Sequence, residues 1–336
     1  MNKLVDTKNI ELLSPAGSFE CAKAAIQAGA DAIYMGGSKF SARAFAKSAS
    51  EDKIIDSIEF VKNSGKKFYL TVNTLFKQKE LKEVFLFLDE IVELGIDAFI
   101  VQDLGVSQML RNKYPNVELH ASTQMTITSS KAIKVVRDLG FKQVVLAREL
   151  TLKEIKSIKK EIGDDMKLEA FVHGSMCYSY SGACLMSSFI GGESGNRGRC
   201  KGPCRLPYNA NVENYVKHHN KTILSNKKNV RMSSIAPYIL SMKDMCALNS
   251  LEGLIDAGVT SFKIEGRMRK PDYVAGVTKT YRKYIDEIIM PHKNKTDVNQ
   301  NIKEDEKYLL ELYNKGGFTN YYDKHNGMDM IQRFER

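Results

Sequence analysis

Ala28-Gly29-Ala30-Asp31 running into Ala32-Ile33-Tyr34-Met35, and Leu94-Gly95-Ile96-Asp97 running into Ala98-Phe99-Ile100-Val101, decide how this chain is read. The same joint recurs twice: Leu139-Gly140-Phe141-Lys142 precedes Gln-Val-Val-Leu, and Ala257-Gly258-Val259-Thr260 precedes Ser-Phe-Lys-Ile. In each, a helix-like stretch closes on glycine, which takes a left-handed C′ position without a Cβ penalty, and a short buried strand follows. Working outward, strands are expected near Ile10–Ser14, Ala32–Gly36, Lys67–Asn73, Ala98–Asp103, Val117–Ser122, Gln143–Arg148, Lys167–His173 and Ser261–Glu265. Eight strands alternating with helices predict the α/β class: a (β/α)8 TIM-like barrel with a cysteine-rich loop insertion at its C-terminal face. The barrel is expected over residues 1–290, its cysteine-rich segment over 173–246, and a C-terminal helical extension over 291–336. An open doubly wound sheet is the alternative, but no GxGxxG follows any strand, so its dinucleotide-binding form has no support.

Active sites of such barrels lie at the C-terminal ends of the strands. Polar residues cluster there: Asn73, Gln102 with Asp103, His120 with Ser122 and Gln124, Arg148 with Glu149, His173, and Glu265 with Arg267. Each taken alone reads as a satisfied rim residue; their shared face makes His120, Arg148, His173, Glu265 and Arg267 candidate catalytic residues. His218, His219, His292 and His325 lie in polar segments and read as surface.

Fifty Lys plus Arg against forty Asp plus Glu give a net charge of +10, which suits a polyanion such as RNA. Part of the excess is local, since Asn209 to Met232 carries Lys217, Lys221, Lys227, Lys228 and Arg231 against Glu213 alone. No apolar run approaches the length of a membrane span, and Met1 to Ile10 lacks the apolar core of a secretory leader. A cytoplasmic protein is therefore expected. Thiols stay reduced there, so Cys177, Cys184, Cys200, Cys204 and Cys246 read as metal ligands or reactive groups. Their spacing lacks paired CxxC knuckles and the CxxxCxxC run of radical enzymes, leaving an iron–sulfur cluster, zinc and unligated thiols all open. Arg197, Arg199, Lys201 and Arg205 flank Cys200 and Cys204 and would favour thiolate or grip phosphate. Cys21 sits on an Ala-rich helix face and reads as a buried hydrophobe. HExxH, GxSxG, phosphate-loop and kinase signatures are absent from the sequence.

The run Glu169-x-Phe171-x-x-Gly174-Ser175-Met176-Cys177-x4-Gly182-x-Cys184-x-Met186-Ser187 resembles the signature of peptidase family U32, the collagenase-like peptidases. Leu13 to Gly17, Gly29 to Gly37, Asn196 to Tyr208, Ser241 to Cys246 and Lys263 to Met268 extend the resemblance over about residues 10 to 322. It implies an oxygen-independent hydroxylase carrying a 4Fe-4S cluster, with Cys177, Cys184, Cys200 and Cys246 as ligands and Cys204 as the alternative. Implied substrate classes are an rRNA cytidine, a tRNA wobble uridine and, in paired members, the ubiquinone ring; prephenate is the implied hydroxyl donor for RNA. The Pro-Cys-Arg-Leu-Pro-Tyr stretch and the run after Arg269 resemble the long rRNA-hydroxylating members, which continue past the point matching Arg336. Three functions follow for testing: an RNA-base hydroxylase, a peptidase of collagenase type, and a cluster-bearing RNA-binding or assembly partner; a cysteine hydrolase would pair Cys177 with His173 or His120. The sequence does not fix an oligomeric state.

Overall fold

The computed structural model describes residues 10–37, 41, 51–208, 238–289, 295–322 and 330–332. The basic stretch 209–232 and His218, His219, His292 and His325 lie outside the described residues. Ten strands form in chain order: β1 (Glu11–Pro15), β2 (Ala32–Met35), β3 (Lys67–Val72), β4 (Ala98–Val101), β5 (Glu118–Ala121), β6 (Gln143–Val145), β7 (Lys167–Ser175), β8 (Asp244–Cys246), β9 (Ser261–Ile264) and β10 (Phe318–Thr319). Strands β1 to β7 pair in sequence, and β9 pairs with both β7 and β1, all in parallel. Eight strands thus close into a ring, the (β/α)8 barrel that the glycine joints predict. Those four glycines adopt φ from 79° at Gly95 to 96° at Gly29, the left-handed geometry that hands a helix over to the next strand.

Eight helices cover the ring, one after each of its strands: Phe19–Gln27, Glu51–Asn63, Leu81–Glu93, Leu104–Lys113, Ser130–Asp138, Leu152–Ile162, Leu251–Asp256 and Pro271–Ile289. Side chains alternate along the strands. Ile33, Met35, Phe68, Leu70, Phe99 and Val101 pack outward in the main core, whereas Leu13, Ala32, Tyr34, Tyr69, Ala98 and Ile100 form a separate cluster. By the two-residue period of each strand, that second cluster fills the barrel.

The barrel also encloses charge. Glu11 accepts from Tyr69 OH (2.7 Å) and Lys67 Nζ (2.9 Å), and Glu169 accepts from Lys263 Nζ (2.6 Å) and Gln143 Nε2 (2.5 Å). Ser261 Oγ lies 3.1 Å from one carboxylate and 3.2 Å from the other, linking the two groups. Lys263 and Glu169 are 5% and 0% exposed, so their attraction is unscreened while their desolvation is severe. Burial pulls the Lys263 ammonium below the ordinary lysine range, and Glu169 opposes that pull. The Tyr34 ring, 4.4 Å from Nζ, adds a cation–π contact.

Two strands lie outside the ring. β7 overhangs the barrel, β8 pairs antiparallel with the overhang, and β10 pairs with β8. The C-terminal region expected as a helical extension therefore holds the helix Lys295–Leu312 and also a strand that returns to the barrel mouth; Tyr322 OH donates to Phe171 O at 2.6 Å. No helix among the described residues is long and apolar enough to cross a membrane.

Removing one partner of the buried pair, as in Lys263→Met, should cost about 3–5 kcal/mol in urea unfolding, because Glu169 is left charged and unpaired. Adding Glu169→Leu should recover most of that loss; additive losses would mean that the pair is not coupled.

Candidate active site at the barrel mouth

The mouth is organised by the end of β7. A register shift between Phe171 and His173 separates the two side chains. Phe171 lies beneath the Arg148 guanidinium at 4.1 Å. His173 packs among Tyr273, Tyr281 and Phe318, with Nδ1 3.3 Å from Tyr281 OH. Its Nε2 is buried with no hydrogen-bond partner, and burial pushes its pKa down to about 3. The position at a strand end suggests a mouth-facing base; the bulge instead turns His173 beneath the helix Pro271–Ile289. Gly174 follows at φ 106°, where a Cβ would sit 2.6 Å from Glu265 O, so only glycine lets β7 pass this close to the turn after β9.

Ser175 is held from several sides. Its N–H donates to Glu265 Oε2 (3.2 Å), its carbonyl accepts from Arg148 Nη1 (3.0 Å), and its hydroxyl accepts from Lys315 Nζ (2.7 Å) and Arg269 Nη2 (3.2 Å). Arg267 reaches across to Ser41 Oγ (2.5 Å) and Thr71 Oγ1 (2.7 Å) above β3. Arg148, Glu265 and Arg267 thus stand at the mouth as strand position implies. Arg269 and Lys315 escaped the sequence reading, because nothing local to Lys315 shows that β10 will carry it back to β7. Asp244 lies 4.0 Å from Lys315, its carboxyl pushed up chiefly by burial. His120 belongs to the barrel interior: Nε2 is 3.1 Å from Glu118 Oε2, at the start of β5, and its ring meets Tyr69 edge-on at 4.7 Å.

From Ser175 the chain crosses the mouth as a cysteine-bearing segment pinned at three places. Over β5 and β6, Ser181 gives its N–H to Glu149 (3.0 Å) and its carbonyl accepts from Thr126 Oγ1 (2.5 Å). Gly182 follows at φ 77°, with Gln124 O 2.1 Å from where a Cβ would stand. Over β3, Arg197 pairs with both oxygens of Glu80 and bonds Leu75 O; Arg197 holds the Glu80 carboxyl down at about 2. Beside β8, Arg205 binds the carbonyls of Met176 and Met242 and the Ser241 hydroxyl (3.0 Å).

The segment carries four thiols, and Cys177, Cys184 and Cys200 lie within electrostatic reach of Cys204. Burial pushes the Cys204 thiol up, Arg205 opposes this, and the neighbouring Cys177, Cys200 and Cys184 add to the rise. Cys177 and Cys200 are exposed, Cys184 and Cys204 half-buried, and the Gly202 N–H points at Cys200 Sγ from 3.4 Å. Cys246 stands elsewhere. It is buried in β8 opposite His173, its sulfur accepts from Tyr281 OH at 3.7 Å, and burial pushes its thiol up to about 12. The ligand set implied by the family signature includes Cys246, which β8 buries opposite His173, whereas Cys204 is half-buried and within electrostatic reach of Cys177, Cys184 and Cys200. Cys21 is buried, as its helix face predicts. Among the described residues, no three His, Cys, Asp or Glu side chains stand as a ready-made single-ion site. Four soft sulfur donors beside cations still suit thiolate ligation in donor chemistry.

A closed parallel barrel whose β7 overhang feeds a thiol-bearing, cation-flanked segment across the mouth defines the class of this protein. It belongs to peptidase family U32, whose family model matches residues 17–332. The chain is 40% identical over 285 residues to a 23S rRNA 5-hydroxycytidine synthase of Escherichia coli, covering 85% of this chain and 40% of that protein. It is 35% identical to a tRNA hydroxylation protein of Bacillus subtilis, covering 84% of this chain and 65% of that one. A collagenase of Porphyromonas gingivalis is 31% identical, covering 95% of this chain and 74% of that protein. The chain thus spans less than two thirds of the length of these two RNA-modifying relatives.

His173 supplies a pH test. Its folded pKa of about 3 lies below the ordinary histidine value, so the unfolded chain binds the extra proton between those limits and stability is lost as pH falls from about 6.5 toward 3. His173→Phe should flatten the stability slope over that window by up to about 1.4 kcal/mol per pH unit. An unchanged slope would show that His173 is charged in the folded protein.

Proposed function

We propose that this chain hydroxylates a base of RNA, an rRNA cytidine or a tRNA uridine, in an oxygen-independent reaction dependent on an iron–sulfur cluster. The observation that carries the reading is the pairing of two facts. Relatives at 40% and 35% identity are named for rRNA and tRNA hydroxylation, and the segment anchored across the barrel mouth carries four thiols. A 4Fe-4S cluster would be held by Cys177, Cys184 and Cys200, with Cys204 the fourth thiol by proximity, and such a cluster supplies Lewis-acid and one-electron chemistry when bound.

Replacing a base C–H by C–OH is a two-electron oxidation; in the oxygen-independent reaction a co-substrate gives up its hydroxyl by breaking its own C–O bond and is reduced by the two electrons and the base's hydrogen, and prephenate is the candidate. Prephenate carries two carboxylates. Arg148, Arg267, Arg269 and Lys315 give the mouth fixed donors of the right sign for them. Glu265 holds the Ser175 N–H and so fixes the backbone two residues before Cys177. Lys315 lies beneath the surface, where burial first and Arg205 second pull its pKa down, so an incoming carboxylate would relieve an unfavourable cation cluster.

The collagenase relative and the name of the family support the peptidase reading. Its cysteine form needs an imidazole beside the nucleophile. His173 is committed to Tyr281 under the outer helix and His120 to Glu118 inside the barrel, so neither serves Cys177.

Nucleoside mass spectrometry of rRNA and tRNA from a strain lacking the gene tests the proposal. One hydroxylated pyrimidine should vanish, return with the wild-type gene, and stay absent with Cys177→Ala. Unchanged profiles in both RNAs would overturn the proposal, and cleavage of denatured collagen by metal-free protein, abolished by Cys177→Ser, would establish the peptidase.

A further inference from the structure

Six of the thirteen exposed large apolar side chains among the described residues, Tyr178, Tyr180, Leu185, Phe189, Ile190 and Leu206, fall in the one segment that carries the four thiols. Phe189 is 83% exposed, in the short helix Met186–Gly191. Apolar side chains concentrated this way mark a surface that something covers. Cations are set among them. The Lys201 N–H donates to Ser187 Oγ at 3.0 Å, and its side chain passes 3.5 Å from where a Cβ on Gly191 would lie, so Lys201 runs along the helix that displays Phe189. Arg199, 57% exposed, lies 3.6 Å from Glu193 at the end of the same turn.

From this arrangement we infer that the cysteine-bearing segment is itself the docking platform for single-stranded or looped RNA. Bases stack on Tyr178, Tyr180 and Phe189, and phosphates lie against Arg199 and Lys201. The inference rests on the RNA-hydroxylase reading and adds the surface and the strandedness of the substrate. Charge complementarity selects the occupant: flat rings interleaved with cations, on a chain of net charge +10, fit a nucleic acid better than an apolar protein face. Strandedness follows from position. Tyr178 adjoins Cys177, and Leu185 adjoins Cys184, so a base delivered to the thiols leaves its own stack at the aromatic rings, which a paired base in a duplex does not do without flipping.

Binding of a short unstructured oligoribonucleotide, and of its duplex, to anaerobically purified full-length protein tests the platform. The single strand should bind more tightly than the duplex. Phe189→Ala and Tyr180→Ala should each weaken it about tenfold, and Phe189→Tyr should retain affinity because the ring remains. Lys201→Glu should reduce the slope of log affinity against log salt by about 0.7. Iron content equal to wild type shows that the variants keep the segment folded. Unchanged affinity in the alanine variants overturns the platform, and if the wild-type gene still restores the hydroxylated nucleoside the hydroxylase reading stands without it. Self-association abolished by Phe189→Ser, with no RNA affinity, would make the surface a protein interface and overturn the inference. A wild-type gene that restores no modified nucleoside removes the reading, and the platform with it.

Discussion

The pairing of β7 with β9 is the constraint on which the rest depends. It closes the ring, and the buried Lys263–Glu169 ion pair spans the same two strands at 2.6 Å, so the seam carries both backbone and charge complementarity. An ion pair there contributes little net stability compared with apolar packing, but a barrel closed in another register would leave Lys263 and Glu169 buried and unpaired, at a cost of several kcal/mol. The pair therefore acts as a registry device. Because β7 is nine residues long and its partner β9 only four, the seam leaves an overhang, and the candidate site is built on that overhang.

The overhang sorts side chains by direction. The bulge after Phe171 sends His173 outward beneath Tyr281 and keeps Phe171 under Arg148; Gly174 then lets the strand pass Glu265, and Ser175 receives its cations. Past Ser175 the chain has no regular partner, yet Ser181, Arg197 and Arg205 tie it to three parts of the rim. A segment held only at separated points keeps its intervening side chains exposed. That accounts for Cys177, Cys200 and the aromatic rings facing solvent at the mouth, while Cys184 and Cys204 are half-buried.

Much of this was legible in the chain itself. The four glycine joints placed four of the barrel strands, and all eight expected strands appear in the ring, because a left-handed helix end and a buried apolar run are local signals. Arg148, Glu265 and Arg267 follow from the strand ends. What failed to show was set by long-range pairing. β8 and β10 are three and two residues long and exist only because β7 overhangs, so no periodicity announces them. The facing of His173 depends on a bulge, and one shifted residue moves a side chain from one face of a strand to the other. The burial of Cys246 has the same origin, since antiparallel pairing with β7 sets it opposite His173. A clue to the interior network was present: Lys67 with Tyr69, and Ser261 with Lys263, stand two apart in their strands, the period of a shared inner face.

An iron–sulfur cluster on the segment crossing the mouth, held by Cys177, Cys184 and Cys200 with Cys204 as the fourth thiol, is the proposal on which the hydroxylase reading stands. Iron and sulfide determination on anaerobically purified wild type, Cys204→Ser and Cys246→Ser tests it most directly, with the visible spectrum as the companion reading. Wild type and Cys246→Ser should each carry about four iron per chain and be brown, and Cys204→Ser should be colourless or iron-poor. A colourless, zinc-loaded wild type, or iron lost on replacing Cys246 and kept on replacing Cys204, would contradict the proposal.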